Sequence, residues 1–282
     1  MARESQAQRR ERARAIERAL AKAYPESTTA LDYGSPFQLL VATVLSAQTT
    51  DVAVNQVTPG LFRHWPTPQA MAKASPEAIG EAINSIGLWR AKARNVAGLA
   101  RMLVEEFDAE VPKSIEELVR LPGVGRKTAT AVLGQAFRIA AGITVDTHMV
   151  RINSLLRLTK GTDPERIARD LEALLPPEAW TSYTHRVIDH GRLVCVARRP
   201  RCGVCPLNAL CPSAFNPKVG YKRENDEREP ASARGLSWLR SGAAPQVRPG
   251  AAPQVRPGDP PQSRSGAPPQ PRSGAAPRGR PE

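Results

Sequence analysis

The 282-residue sequence has no apolar run approaching the roughly 20 residues that cross a bilayer, which excludes a helical membrane anchor. Met1 to Arg18 is rich in Arg and Gln and has no apolar signal core, so the protein is expected in the cytoplasm, associated with the nucleoid, and not secreted. Cysteine is scarce. There are four, all between Cys195 and Cys211, which excludes a dispersed disulfide framework and points to a compact metal or cluster site. Sustained apolar/polar alternation is missing too, so the fold class is read as all-α. Acidic side chains are in deficit: 27 Asp and Glu face 40 Lys and Arg, a formal charge of +13 with a pI near 10.2. That imbalance favours a polyanionic partner such as nucleic acid.

Hydrophobic residues make up 41% of the chain, enough for a sizeable core. They fall at helical spacing. Phe37, Leu40, Val41, Val44 and Leu45 mark one apolar face, and Ala129, Val132, Leu133, Ala136 and Phe137 mark another. Ser75-Pro76-Glu77 and Asp163-Pro164-Glu165 read as helix starts, and Ser114 with Glu117 fits a capping box. Pro59-Gly60 interrupts an otherwise helical stretch and predicts a kink or stop there. Composition changes near residue 230. Residues 231–282 hold 11 Pro and 7 Gly, and Arg240, Arg248, Arg256, Arg264, Arg272 and Arg280 recur every eight residues. Such a segment buries too little apolar surface to offset chain entropy and is expected to form a disordered basic tail. It serves either as a loose DNA tether or as an extension without a selected role.

The middle of the chain carries the first chemistry. A short capped helix leads into Leu121-Pro122-Gly123-Val124-Gly125, and Arg126-Lys127 opens a second helix. The two glycines permit a tight turn. Their N–H groups and the next helix N-terminus form a phosphate cradle, with Val124 plugging the angle between the helices. Lys127 lies in the first turn, where the positive end of the helix dipole disfavours an ammonium and partial burial would act the same way. A neutral amine is a nucleophile that forms Schiff bases, although a lysine beside such a hairpin also serves as a plain phosphate contact. Asp146 follows 19 residues later. A helix from 127 to about 139 carries the chain roughly 18 Å away, and Ala140 to Asp146 spans up to about 23 Å when extended, so Asp146 can return beside Lys127. It also suits the N-cap of a helix starting near Thr147, and the two roles are compatible.

Cys195, Cys202, Cys205 and Cys211 give C-x6-C-x2-C-x5-C. On spacing, four thiolates in 17 residues suit zinc or an iron–sulfur cluster. Val196-Ala197-Arg198-Arg199-Pro200-Arg201, between the first two, is a basic loop suited to phosphates.

LPGVGRKTA, VDTH and the cysteine spacing resemble those of the endonuclease III family of helix–hairpin–helix DNA glycosylases, over roughly residues 25–215. The resemblance implies a bifunctional glycosylase/AP lyase acting on duplex DNA with oxidised pyrimidines or abasic sites, as a monomer. It implies Lys127 as the nucleophile and Asp146 as its assistant. Cys195, Cys202, Cys205 and Cys211 would hold a [4Fe–4S] cluster. Gly123, Val124, Gly125, Arg198, Arg199 and Arg201 would contact DNA. A base must be extruded to be excised, and Gln48 and Leu88 match the residues that fill the gap. Ser46, Asp51 and His148 would line the lesion pocket. The fold implied is two helical lobes with a DNA cleft between them. Residues 30–140 form a six-helix lobe with the hairpin, and 141–215 form the cluster lobe. Residues 1–29 pack with the latter, and 216–282 are the tail. A monofunctional glycosylase of this fold and a non-catalytic iron–sulfur DNA-binding protein are the alternatives; Lys127 argues against the first.

Overall fold

The computed structural model describes residues 4–227; the basic repeat after residue 230 lies outside them. Helix starts follow from local chemistry. Ser5 makes a capping box with Gln8 at the head of α1 (Gln6–Ala23). Ser35 caps α2 (Pro36–Leu45), Thr50 caps α3 (Asp51–His64), Thr67 caps α4 (Pro68–Ala72) and Ser75 caps α5 (Pro76–Ala82). Each hydroxyl accepts from an amide that has no partner within the helix. α6 (Trp89–Glu106) begins without a side-chain cap. Ser114 caps α7 (Ile115–Leu118), a single turn. α8 (Arg126–Phe137) again has no side-chain cap. Asp146 caps α9 (Thr147–Leu155) and Asp163 caps α10 (Pro164–Glu172). α11 (Trp180–Leu193) continues from a 3-10 turn at Pro177–Ala179.

Two local expectations are corrected in part. Of the kink or stop expected at Pro59, the stop does not occur, since α3 runs through it. The proline ring faces solvent, while Val54, Val57 and Leu61 anchor the helix on both sides of it, so burial overrides one lost backbone bond. At Ser114 only half of the capping box forms. Its Oγ accepts from the Glu117 amide at 3.3 Å, but the Glu117 carboxylate accepts a hydrogen bond from the Ser114 hydroxyl at 2.7 Å instead of one from the Ser114 amide.

The helices bury two hydrophobic cores. One gathers α2 to α8 around Leu40, Leu61, Ile79, Leu99 and Leu133. The other joins α1, through Ile16 and Leu20, to Met149, Ile152, Leu171, Tyr183 and Val187 of the later helices. α8 and α11 meet where Gly134 faces Thr181, and a Cβ at Gly134 would overlap the Thr181 Oγ1. Gly134→Val is therefore expected to lower stability by about 1–3 kcal/mol through overpacking, read as a lower urea midpoint. An unchanged midpoint would show that the helix contact is loose.

A two-stranded hairpin, β1 (Cys195–Val196) and β2 (Arg199–Pro200), pairs Cys195 with Pro200 and Val196 with Arg199. The expected tail boundary at 216 is too early. Residues 216–227 form two 3-10 turns against this hairpin, with Asn225 buried and donating to the Pro200 and Gly220 carbonyls at 3.3 and 3.1 Å. The Asp226 carboxylate accepts from the Gly203 amide at 3.0 Å. No helix among the described residues is long and apolar enough to cross a membrane.

Candidate active site and cluster cavity

The hairpin is seated on α6. Gly123 adopts φ +79°, and a Cβ there would lie 2.8 Å from the Asn95 amide nitrogen, so glycine is required on both counts. Gly125 differs. Its backbone is extended, and open space surrounds the position a Cβ would take. The N-cap of α8 offers no side-chain acceptor to its first amides, which leaves them available to an anion. Val124 does not share this role. Its side chain is buried in the first core and its amide donates to the Leu121 carbonyl at 3.1 Å, so it holds the turn from inside.

Lys127 projects from the first turn of α8. The residue is exposed, contrary to the expected partial burial, and its Nζ donates to the Val145 carbonyl at 3.0 Å. The next residue, Asp146, is half-buried, with its Oδ1 accepting from the Met149 amide at 2.8 Å. The cap thus fixes one carboxylate oxygen. Both side chains line a cleft of about 450 Å³ with Ser46, Gln48 and Asp51 on one side and Thr184, His185, Asp189 and Arg192 of α11 on the other. Polar contacts cross this cleft: Gln135 Nε2 donates to Thr28 Oγ1 at 2.8 Å, and Arg192 pairs with Asp51 at 3.3 Å.

Gln48 and Leu88 stand out by backbone. Both are exposed non-glycine residues in the left-handed region, at φ +54° and +59°. Leu88 is 62% exposed, directly before the uncapped start of α6. A branched apolar side chain held outward on a strained backbone is a functional signature rather than a packing one.

The four cysteines are unpaired and line one cavity, walled by Ile152, Leu155, His190, Val194 and Leu207. Burial pushes all four thiols above the usual cysteine range, so they ionise only against a strongly positive centre. Cationic groups are already in place. Arg151 Nη1 lies 3.5 Å from Cys195 Sγ with its Nη2 buried and unpartnered; Arg201, on the cavity wall, has Nε and Nη1 buried and unpartnered. Among the described residues no group of three or more His, Cys, Asp or Glu is arranged to hold a single metal ion. Four thiolates around one cavity with orphaned guanidinium groups suit a larger, net-anionic iron–sulfur centre.

The family profile described as HhH-GPD superfamily base excision DNA repair protein matches residues 41–177, and the iron–sulfur binding domain of endonuclease III matches residues 195–211. Endonuclease III of Synechocystis sp. is 53% identical over 208 residues, covering 74% of this chain and 95% of that protein. The chain belongs to the endonuclease III family. It is a base-excision DNA glycosylase with lyase activity and an iron–sulfur domain. Endonuclease III of Escherichia coli is 42% identical over 187 residues, 66% of this chain and 88% of that protein. A solved structure of a trapped endonuclease III–DNA covalent intermediate, with an estranged adenine, is 40% identical and superposes with a TM-score of 0.67, covering 73% of this chain and 96% of that one.

Within this family member the structure separates the expected site residues. Lys127, Asp146, Ser46, Gln48 and Asp51 share the cleft. His148 does not line it: its ring packs against Gly191 of α11, and burial lowers its pKa. Arg198 and Arg199 are exposed on the hairpin, whereas Arg201 is only 6% exposed, with Nη2 donating to the Asp226 carbonyl at 3.1 Å. It serves the cysteine cavity and not the surface. Among the cleft residues that were not anticipated, two carry titratable groups on one helix face. His185 and Asp189, four apart on α11, share a face, and burial holds the His185 imidazole below its usual pKa against the pull of Asp189 and Asp51. Their spacing was the available signal.

Proposed function

We propose that this enzyme excises oxidised pyrimidines from duplex DNA by nucleophilic attack of Lys127 Nζ on C1′ of the extruded nucleotide. The C1′–N bond to the base breaks and the base leaves; the C1′–O4′ bond then opens, with a proton going to O4′, as the imine forms at C1′; loss of a C2′ proton then drives β-elimination, which cleaves the C3′–O bond to the phosphate. Asp146 assists proton transfer at the amine and stabilises positive charge on the sugar. The observation that carries this reading is the Lys127 amine bonded to the carbonyl next to Asp146, at one wall of a cleft.

The remaining roles follow from placement. Gln48 and Leu88 fill the gap left by the extruded base. The amides of Gly123, Gly125 and the start of α8 hold a phosphate, and Arg198 and Arg199 add sequence-independent contacts. Ser46, Asp51 and His185 present hydroxyl, carboxylate and imidazole groups to a base with added oxygen. His148, turned toward Gly191, is left out of that pocket. Cys195, Cys202, Cys205 and Cys211 hold the [4Fe–4S] cluster, which supports the fold and the basic hairpin. The enzyme acts as a monomer in the cytoplasm, on nucleoid DNA, with residues 30–140 and 141–215 as the two lobes.

Asp146→Asn separates the two duties of that residue. Asparagine caps a helix about as well as aspartate, so the melting temperature is expected to hold. The single-turnover excision rate on thymine-glycol duplex is expected to fall by about 10²–10⁴-fold, the range for a lost acid–base group. Full activity in this variant would leave Asp146 a cap and nothing more.

A further inference from the structure

The helix α6 buries a stripe of Ala93, Val96, Leu99, Ala100 and Leu103, and the first member of that stripe is a lysine. Lys92 is only 4% exposed. Its Nζ donates to Thr49 Oγ1 at 2.6 Å, and it belongs to none of the ion pairs among the described residues. Burial, with no opposing carboxylate, lowers its pKa. A buried cation with a neutral partner is a poor way to stabilise a fold, since an apolar side chain of similar length fits such a site at least as well. Its placement suggests what it is kept for.

Lys92 stands between the two strained loops. Its amide donates to the Leu88 carbonyl at 3.1 Å, the first backbone bond of α6. Its ammonium holds the Thr49 hydroxyl, which in turn reaches the Ala47 carbonyl at 3.5 Å. Ala47 and Thr49 flank Gln48, so this chain of bonds clamps the tripeptide whose centre is left-handed. One residue therefore touches the segment behind Leu88 through its backbone and the segment around Gln48 through its side chain. Left-handed non-glycine residues persist only where their surroundings hold them.

We propose that Lys92 is a positioning residue that locks the Gln48 and Leu88 loops into one rigid unit, so that both side chains enter the opened duplex together. The proposal rests on the reading of Gln48 and Leu88 as the gap-filling pair. The lock is needed only where a duplex must be opened, because an abasic site in single-stranded DNA has no stack to part and no partner base to displace.

The test uses the cluster-loaded full chain and compares Lys92→Met, Thr49→Val and the double variant. Single-turnover excision from a thymine-glycol duplex is expected to fall by about 10²-fold in each single variant, the scale of a remote misplacement. Fluorescence of 2-aminopurine placed opposite the lesion should rise more slowly. The double variant should be no slower than either single one, since both remove the same link. β-Elimination at an abasic site in single-stranded DNA and the visible absorbance of the cluster should not change. Duplex excision at the parental rate, an equal fall on single-stranded DNA, or additive losses in the double variant would each overturn the proposal. Thr49→Val alone decides the matter if Lys92→Met does not fold. Gln48→Ala and Leu88→Ala serve as the separate check: if neither slows duplex excision, the gap-filling reading itself fails.

Discussion

Lys127→Gln should abolish the borohydride-trapped protein–DNA adduct and lower the rate of excision by on the order of 10⁴-fold or more, as loss of a nucleophile does in covalent mechanisms. The substitution is chosen to disturb little else. Glutamine has nearly the helix propensity of lysine. The side chain is exposed, and it forms no ion pair among the described residues whose loss would complicate the result. A glutamine amide can still donate toward the Val145 carbonyl that now accepts from Nζ. Binding to lesion duplex should therefore survive, because the hairpin amides, Gln48 and Leu88 are untouched. Borohydride reduction of the imine leaves a stable C–N bond between protein and sugar, whereas hydride addition to an unattached sugar cation links nothing, so trapping reports the covalent step alone. An adduct that persisted in Lys127→Gln would move the nucleophile elsewhere. Excision without strand cleavage at the parental rate would favour water as the attacking group.

Loss of the cluster should be the second large effect, and it should reach the cleft. Cys205→Ala removes one buried sulfur from the cavity and leaves Arg151 and Arg201 with unpartnered nitrogens beside it and less negative charge to face. Unpaired buried charge and a lost cluster ligand belong to the few mechanisms that cost more than about 4 kcal/mol. Two helices connect cavity and cleft. α9 has Ile152 and Leu155 on the cavity and Asp146 as its N-cap at the cleft. α11 has His190 on the cavity and Thr184, His185 and Asp189 on the cleft. A cluster in that cavity thus supports the elements that place Asp146. Cys205→Ala should lose its visible absorption band, melt at a much lower temperature and excise poorly. A stable, colourless and fully active variant would remove the cysteines from the mechanism and from the fold.

Much of this protein was legible because its signals are local. Hydroxyl and carboxylate caps, prolines at first helical positions and apolar stripes each act within one or two turns, and the helices begin where those residues stand. The same holds for the placement of the candidate site residues. Lys127 and Asp146 are joined by one helix and a loop whose reach is bounded by chain geometry, and four cysteines within 17 residues can meet at one centre wherever the lobe folds. Family resemblance supplied Gln48 and Leu88, whose proposed role has no local chemical signature beyond the strained backbone seen in the structure.

What escaped a linear reading depends on which neighbour each side chain finds. Arg198, Arg199 and Arg201 look alike in sequence, yet the first two stay exposed on the hairpin while the third is buried on the cavity wall, its Nη2 donating to the Asp226 carbonyl. His148 and His185 exchange places because Gly191 leaves room for one ring beside α11 while the helix face aims the other into the cleft. Lys92 is one more lysine in a basic chain until α6 is packed and its ammonium meets Thr49, 43 residues away. Caps, periods and ligand spacings are settled by bonds between near neighbours, which any folded form of this chain must satisfy. Burial and partner choice for a long charged side chain come from surfaces that exist only once distant helices are in contact.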